Sequence, residues 1–201
     1  MKKYKSIELL EQLQSDTRQL ILTANYLQSI DPGVLLQEPA PGKWSVIQVL
    51  EHLNSYGRYY LLAIERSLEN DKPAVEVFMP GWLGNYFTKL MKPGEDGAII
   101  NKMQSPKDHR PSKYLDVFPV LTTFLEQQHY LLELLEQAKS KNIRSIRTPI
   151  SISRLIRLRL GDTFRFLVAH EQRHFVQIDN TLARVKGTIN IFPATHRVMQ
   201  Q

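Results

Sequence analysis

The chain has 201 residues, of which 42% are apolar, with a formal net charge of +6 and no cysteine. This composition excludes a disulfide-stapled domain and a disordered chain, and it restricts any metal ligands to histidine and the carboxylates. The apolar runs fall well short of the roughly 20 residues that span a bilayer, and the lysine-rich start lacks the apolar segment of a signal peptide. We therefore expect one cytoplasmic domain, residues 1–201, with no membrane partner.

Two amphipathic helices are predicted in the first third of the chain. Apolar residues recur at helical spacing over residues 6–30, and Asp31-Pro32-Gly33 is expected to stop this first helix. The second helix begins at Ser45, because a serine followed three positions later by Gln48 is a capping-box signature. Its pattern ends near Asn70.

A long irregular connection follows the second helix. Residues 71–115 contain five prolines and one segment, 81–92, that resembles a short helix. Connections of this length are uncommon unless they are functional or disordered. We expect a partly ordered crossover that folds over one end of the molecule, as a packing loop or as a lid.

The second half of the chain contains two further helices. Asp116 is predicted to cap a third helix that continues to about Lys139. Residues 150–160 alternate at first and then lose their period, so we interpret them as an extended approach to the last helix. That helix is expected to run from a cap at Asp162 to Lys186, and the tail beyond it to be a docked or frayed extension.

Four helices, a long second connection and no convincing sheet predict an all-α fold, a four-helix bundle with a crossover between its second and third helices. The segment 139–159 carries seven basic residues and no acid. We favour the interpretation that this segment is a solvated basic connector. The second interpretation is that its positive electrostatic field attracts an anionic small molecule. A nucleic-acid partner is not expected, because no groove-reading motif accompanies the charge.

The most informative stretch is His170-Glu171-Gln172-Arg173-His174 in the last predicted helix. Side chains four apart lie on one face of a helix, and neutral imidazole is a common metal ligand. Buried without partners, two such rings would be costly, and coordination would provide those partners.

The other histidines carry weaker signals. His52 borders the buried face of the second helix and, taken alone, is more often a hydrogen-bonded core residue than a ligand. His109 is expected to be exposed in a polar loop, His129 to be exposed or at the edge of the core, and His196 lies in the tail.

The same stretch fits H-E-x-x-H, the zinc-protease pattern in which Glu171 would be the general base. Downstream, however, only Asp179 and His196 could supply a third ligand, and no edge strand precedes the helix to hold a peptide. Glu171 also lies about 100° around the helix from His170, away from the face that would bind the metal. We therefore do not predict a protease.

Two motifs together resemble the DinB/YfiT-like superfamily. The first is Pro41-Gly42-Lys43-Trp44-Ser45, which leads into a helix with His52, and the second is the H-x-x-x-H helix with Arg-His and Gln-Ile pairs. The resemblance implies a DinB-like bundle in which histidines from the second and fourth helices bind one divalent metal, nickel or zinc. Carried over to this chain, the metal ligands would be His52, His170 and His174.

The resemblance also implies an activity, because some members of the superfamily are thiol-dependent S-transferases that use bacillithiol or mycothiol. Our leading hypothesis is a metal-dependent enzyme that activates a low-molecular-weight thiol such as bacillithiol for attack on a small-molecule electrophile. The alternatives are a metal-dependent hydrolase using a metal-bound water and a non-enzymatic metal-binding bundle. No catalytic residue is assigned; structural roles are favoured for Tyr56 and Arg173. The resemblance further implies a homodimer.

Overall fold

The computed structural model describes residues 2–94 and 104–186. Its six α-helices are Ser6–Leu27 (α1), Pro32–Leu36 (α2), Val46–Leu68 (α3), Trp82–Met91 (α4), Val117–Ala138 (α5) and Leu160–Lys186 (α6). Its strands are Tyr4–Lys5 (β1), Val77–Phe78 (β2), Arg147–Ile150 (β3) and Ser153–Arg159 (β4), and a 3₁₀ turn covers Lys107–His109. Within these ranges, none of the helices combines the length and the apolar character that crossing a bilayer requires.

The four long helices form the predicted bundle. Helix α3 packs against α5 and α6, and α1 packs against the same two helices, so α1 and α3 stand on opposite sides of the bundle. The crossover between the second and third long helices is also present, and it carries α4 against α6. The all-α, four-helix prediction is therefore confirmed.

Local capping explains where the central helices begin. The Ser45 hydroxyl accepts a hydrogen bond from the Gln48 backbone N–H, and the Gln48 side chain accepts one from the Ser45 N–H, which is the predicted capping box. The Asp116 carboxylate caps α5 through the Phe118 N–H, as expected. Helix α1, in contrast, ends at Leu27 rather than at residue 30.

The prediction for residues 150–160 is wrong in part, because they belong to a β-hairpin. Strands β3 and β4 pair antiparallel, with Arg147 opposite Arg159 and Thr148 opposite Leu158. Thr148 and Leu158 are buried against the bundle while Leu155 is 96% exposed. The alternation in the first half of this stretch spans the turn at 151–152 rather than a single strand, so it did not indicate the hairpin.

Asp162 is likewise not the helix cap that its position suggests. Helix α6 begins at Leu160, so Asp162 lies inside its first turn and is fully buried. Its carboxylate accepts a hydrogen bond from the Gly81 N–H at 2.7 Å and is paired with Arg165 at 3.0 Å. The residue therefore joins α6 to the start of α4.

The long connection contains three short regular elements in the part that the structure describes. Its predicted short helix is α4, its strand β2 pairs with β1 at the N-terminus, and its last part forms the 3₁₀ turn near α3. The remainder of the connection, residues 95–103, and the predicted tail after residue 186 lie outside the described residues.

Among the described residues, the buried apolar side chains form two clusters, and α3 and α6 each contribute to both. On α3 the change from one cluster to the other falls between Leu53 and Tyr56, and on α6 it falls between Val168 and Phe175. The bundle therefore has one stretch on each helix where polar side chains can be buried between apolar layers. His170 and His174 lie within the stretch on α6, and His52 lies directly before the stretch on α3.

Candidate metal centre

Three histidines from two helices meet inside the bundle. Taking one ring nitrogen from each of His52, His170 and His174, all of these atoms lie within 4.8 Å of one another. The Nε2 atoms of His170 and His174 are 3.1 Å apart, and the His52 ring centroid is 5.3 Å from that of His170 and 4.6 Å from that of His174. The structure thus brings together the three residues named from the sequence.

Burial keeps these rings uncharged. His52 and His170 are each 3% exposed, and His174 is half-buried. Loss of hydration lowers the pKa of His52 to about 4 and that of His174 to about 3, and it lowers the pKa of His170 well below the ordinary value. All three imidazoles are therefore neutral near pH 7, which is the form that binds metal ions.

Hydrogen bonds decide which nitrogen is available on two of the rings. The Nδ1–H of His52 donates to the His109 carbonyl oxygen at 2.7 Å, and the Nδ1–H of His174 donates to the Gln177 side-chain oxygen at 2.9 Å. Since a neutral imidazole carries one N–H, the Nε2 atoms of both rings retain a lone pair. Metal-binding histidines commonly have their other nitrogen held in this way.

His170 supplies the test of whether the site fits a cation. Its Nδ1 is buried with no hydrogen-bond partner among the described residues, while its Nε2 faces the lone pair of the His174 Nε2. Two nitrogens bound to one zinc ion in a tetrahedral arrangement lie about 3.3 Å apart, close to the separation seen here. A divalent cation therefore fits the donor set: three neutral nitrogens, two of them oriented by hydrogen bonds.

His109 is part of the surroundings of this site, contrary to the expectation that it is exposed. Its ring is buried, and the Ser55 hydroxyl lies 2.9 Å from its Nδ1 while donating to the His52 carbonyl oxygen at 2.7 Å. The hydrogen bond that orients His52 comes from the His109 backbone, so no side-chain pattern indicated it. Gln177, in contrast, belongs to the Gln-Ile pair of the sequence motif.

Aromatic rings surround the histidines. The Tyr56 ring centroid is 4.4 Å from that of His170 and 3.9 Å from that of His109, and the Phe166 ring is stacked on His170 at 5.8 Å. Trp44 lies 5.1 Å from the His52 ring. Tyr56 therefore borders the site, in addition to the packing role expected for it.

Glu171 does not face the histidines. It is buried, and one of its carboxylate oxygens accepts a hydrogen bond from the Gln128 side chain on α5 at 2.9 Å. Burial raises its pKa to about 8. The expectation that Glu171 is turned away from its neighbouring histidines agrees with this contact. His129 is exposed on α5, which is the first of the two positions expected for it.

Comparisons with known proteins found one matching family and one similar solved structure. The sequence model of the DinB superfamily matches residues 9–178, a range that covers the bundle and all three histidines. Among solved structures, YfiT from Bacillus subtilis matches with 17% sequence identity and a TM-score of 0.50, over 92% of this chain and 89% of that one. That protein is described as "a probable metal-dependent hydrolase with an unusual four-helix bundle topology". No protein of curated function matches the sequence.

Proposed function

This chain belongs to the DinB superfamily, and from that premise we propose that His52, His170 and His174 bind one divalent metal ion, zinc or nickel, in a metal-dependent enzyme. The observation that carries the proposal is the convergence of three buried, neutral ring nitrogens within 4.8 Å. Three protein ligands are typical of catalytic sites, whereas structural zinc sites are closed by four.

A cation held by three imidazoles supplies Lewis acidity that lowers the pKa of a small nucleophile, either a thiol or water. A nucleophile bound there would lie near the aromatic rings of Tyr56 and Phe166, which pack against His170 and limit the access of bulk water. Within the described residues, the group of side chains able to hold a metal contains no carboxylate. Glu171 is bonded to Gln128 instead and is therefore not placed as a general base for the site.

The superfamily resemblance favours a thiol as the nucleophile. We propose S-transfer: the sulfur forms a bond to an electrophilic carbon, the bond from that carbon to the leaving group breaks, and the leaving group departs with the electron pair. The thiol proton passes to solvent.

A low-molecular-weight thiol such as bacillithiol is the proposed co-substrate. The superfamily resemblance supports it, and so does the net charge of +6, which raises the local concentration of an anionic thiol. Hydrolysis is the second candidate, favoured by the description of YfiT as a probable metal-dependent hydrolase. The homodimer expected from the sequence remains a prediction.

The metal site is tested by elemental analysis of protein purified without chelators and without a histidine tag. We expect one zinc or nickel ion per chain in the wild type and its loss in His52→Ala, His170→Ala and His174→Ala. His129→Ala is the matched control, because that histidine is exposed on α5. Equal metal content in all four variants, or none in the wild type, would overturn the site.

The reaction is tested on metal-loaded protein with two panels. The first combines bacillithiol, cysteine or glutathione with 1-chloro-2,4-dinitrobenzene, and the second contains 4-nitrophenyl esters without a thiol. Turnover that requires both the thiol and the three histidines supports S-transfer. Turnover of esters alone shifts the conclusion to hydrolysis, and no turnover in either panel leaves a metal-binding bundle without catalysis.

A further inference from the structure

A partly open cavity of about 190 Å³ lies at the edge of the bundle core, between α3, α4 and the β3–β4 hairpin. Its walls are formed mainly by apolar and aromatic side chains, among them Tyr56, Phe87, Met91, Ile150, Leu158 and Phe166. The sequence did not indicate this cavity, because two of its three walls come from the hairpin and the long connection.

The cavity adjoins the histidine cluster through two shared side chains. Tyr56 and Phe166 both line it, and both rings pack against the ring of His170, with centroids 4.4 Å and 5.8 Å away. A group bound in the cavity is therefore separated from His170 by the thickness of one ring.

The lining is uncharged. Among the described residues that form the walls, none is acidic or basic, and the polar ones are tyrosines, Gln104 and Ser151. The Tyr60 hydroxyl oxygen already accepts a hydrogen bond from the Ser151 N–H at 3.2 Å. Burial raises the pKa of Tyr56 to about 12, so its phenol also stays neutral. A charged ligand would lose its hydration here without a compensating partner.

The size of the cavity suits one ring or a short alkyl chain. An apolar protein cavity of about 150 Å³ stays dry and binds benzene. We propose that this cavity binds the uncharged apolar portion, aryl or short alkyl, of the substrate whose reacting carbon lies at the histidine cluster. The statement that the bound group is part of a substrate rests on the proposed function. Binding of an apolar group to the cavity can be measured without catalysis.

The experiment uses toluene and benzoate as probes, which share a ring and differ in charge. Binding to the full-length protein is followed by ligand-observed NMR and by calorimetry. We expect toluene to bind and benzoate to bind at least about tenfold more weakly, since transfer of an ion into an apolar site is costly. Equal binding of the two probes, or no binding of toluene, would overturn the proposal.

Two substitutions on the hairpin localise the binding. Ser151→Phe adds a ring at the cavity wall and is expected to weaken toluene binding by about tenfold or more. Leu155→Phe places the same aromatic ring at a position on the same hairpin that is 96% exposed and does not line the cavity, so binding should not change. Binding that is unaffected by Ser151→Phe in a folded variant contradicts the assignment.

Should Ser151→Phe fail to fold, Ile152→Lys takes its place. Ile152 lines the cavity and is 62% exposed, so a lysine there is tolerated and brings charge to the opening; we expect weaker toluene binding, and unchanged binding counts against the cavity. Metal content is measured in every variant. Toluene binding without bound metal supports the cavity and removes the proposed enzyme, while bound metal without toluene binding removes the cavity and leaves the enzyme.

Discussion

Helix α6 carries two buried polar clusters, and they differ in whether their polar atoms are satisfied by the protein itself. Near its start, the carboxylate of Asp162 is bonded through one oxygen to Arg165 and through the other to the Gly81 N–H. Further along, His170 has an Nδ1 without a partner among the described residues and an Nε2 that faces the His174 Nε2 at 3.1 Å. Neutral imidazoles whose Nε2 atoms lie this close together are suited to bind one cation between them.

The Asp162 cluster explains how α4 is attached to the bundle. Arg165 reaches both the Tyr4 hydroxyl, at 3.4 Å, and the Asn85 side-chain oxygen, at 3.3 Å. The close approach of the helices requires Gly84, because a Cβ there would lie 2.4 Å from Asp162. The satisfied cluster thus builds structure, whereas the histidine cluster, with lone pairs left over, is suited to a cation. Four predictions test this distinction.

The largest effect is expected from Asp162→Ala, which leaves Arg165 buried without its carboxylate. Breaking a buried ion pair from one side destabilises a protein by about 3–5 kcal/mol, and urea unfolding measures the change in the free energy of unfolding. Asp71→Ala is the control, because its pair with Lys141 is at the surface and the Asp71 side chain is 99% exposed; its effect should be small. Metal content of the folded Asp162→Ala protein should equal that of the wild type.

The second prediction concerns metal-dependent stability. A ligand that binds only the folded state at a thousand times its Kd stabilises by about 4 kcal/mol, so zinc or nickel should raise the unfolding midpoint of metal-stripped wild-type protein. His170→Ala should show no such increase, while His129→Ala should behave as the wild type. Because each variant is compared with itself with and without metal, the change in stability caused by the substitution itself does not enter the comparison. An equal shift in His170→Ala would place the bound metal elsewhere.

A smaller effect is expected from Gln177→Leu. Its side-chain oxygen holds the Nδ1–H of His174 at 2.9 Å, and loss of such an orienting group typically lowers metal affinity by about 10–100-fold. Competition with a chromophoric chelator measures the affinity. Gln137→Leu, at an exposed position of α5, is the control. Unchanged affinity in Gln177→Leu would show that the His174 ring is held by packing alone.

The same distinction explains how much of the fold could be predicted. Helix spacing and caps are local, so α3 and α5 could be placed from Ser45, Gln48 and Asp116. The two strands of the hairpin and the role of Asp162 depend on contacts with distant segments. An aspartate before an apolar run looks like a cap, and only the nearby Gly81 N–H and Arg165 make its burial possible.

In the site, too, the local pattern could be predicted and the long-range contacts could not. The spacing of His170 and His174 predicted a shared face, but the choice of His52 as their partner came from the superfamily resemblance, since a single histidine on a half-buried face carries little signal. His109 could not be found, because it contributes a backbone carbonyl oxygen to His52. The aromatic cavity was missed for a related reason: its walls come together only in the folded chain.

The last and smallest effect concerns Glu171→Gln. In the folded protein burial raises the pKa of Glu171 from 4.5 to about 8, so between these pH values the folded state keeps a proton that the unfolded state releases. The free energy of unfolding therefore falls as pH rises through this window. Glutamine, always neutral, should remove that decline, whereas Glu133→Gln at an exposed position of α5 should not.

Metal content and turnover should be unchanged in Glu171→Gln, because Glu171 contacts Gln128 rather than the histidines. A general base contributes about 10²–10⁴-fold to rate, so a loss of that size, with metal retained, would restore the H-E-x-x-H mechanism. It would also show that Glu171 acts with the histidines rather than with Gln128. Retained turnover together with the altered pH dependence of stability would assign Glu171 to the packing of α5 against α6.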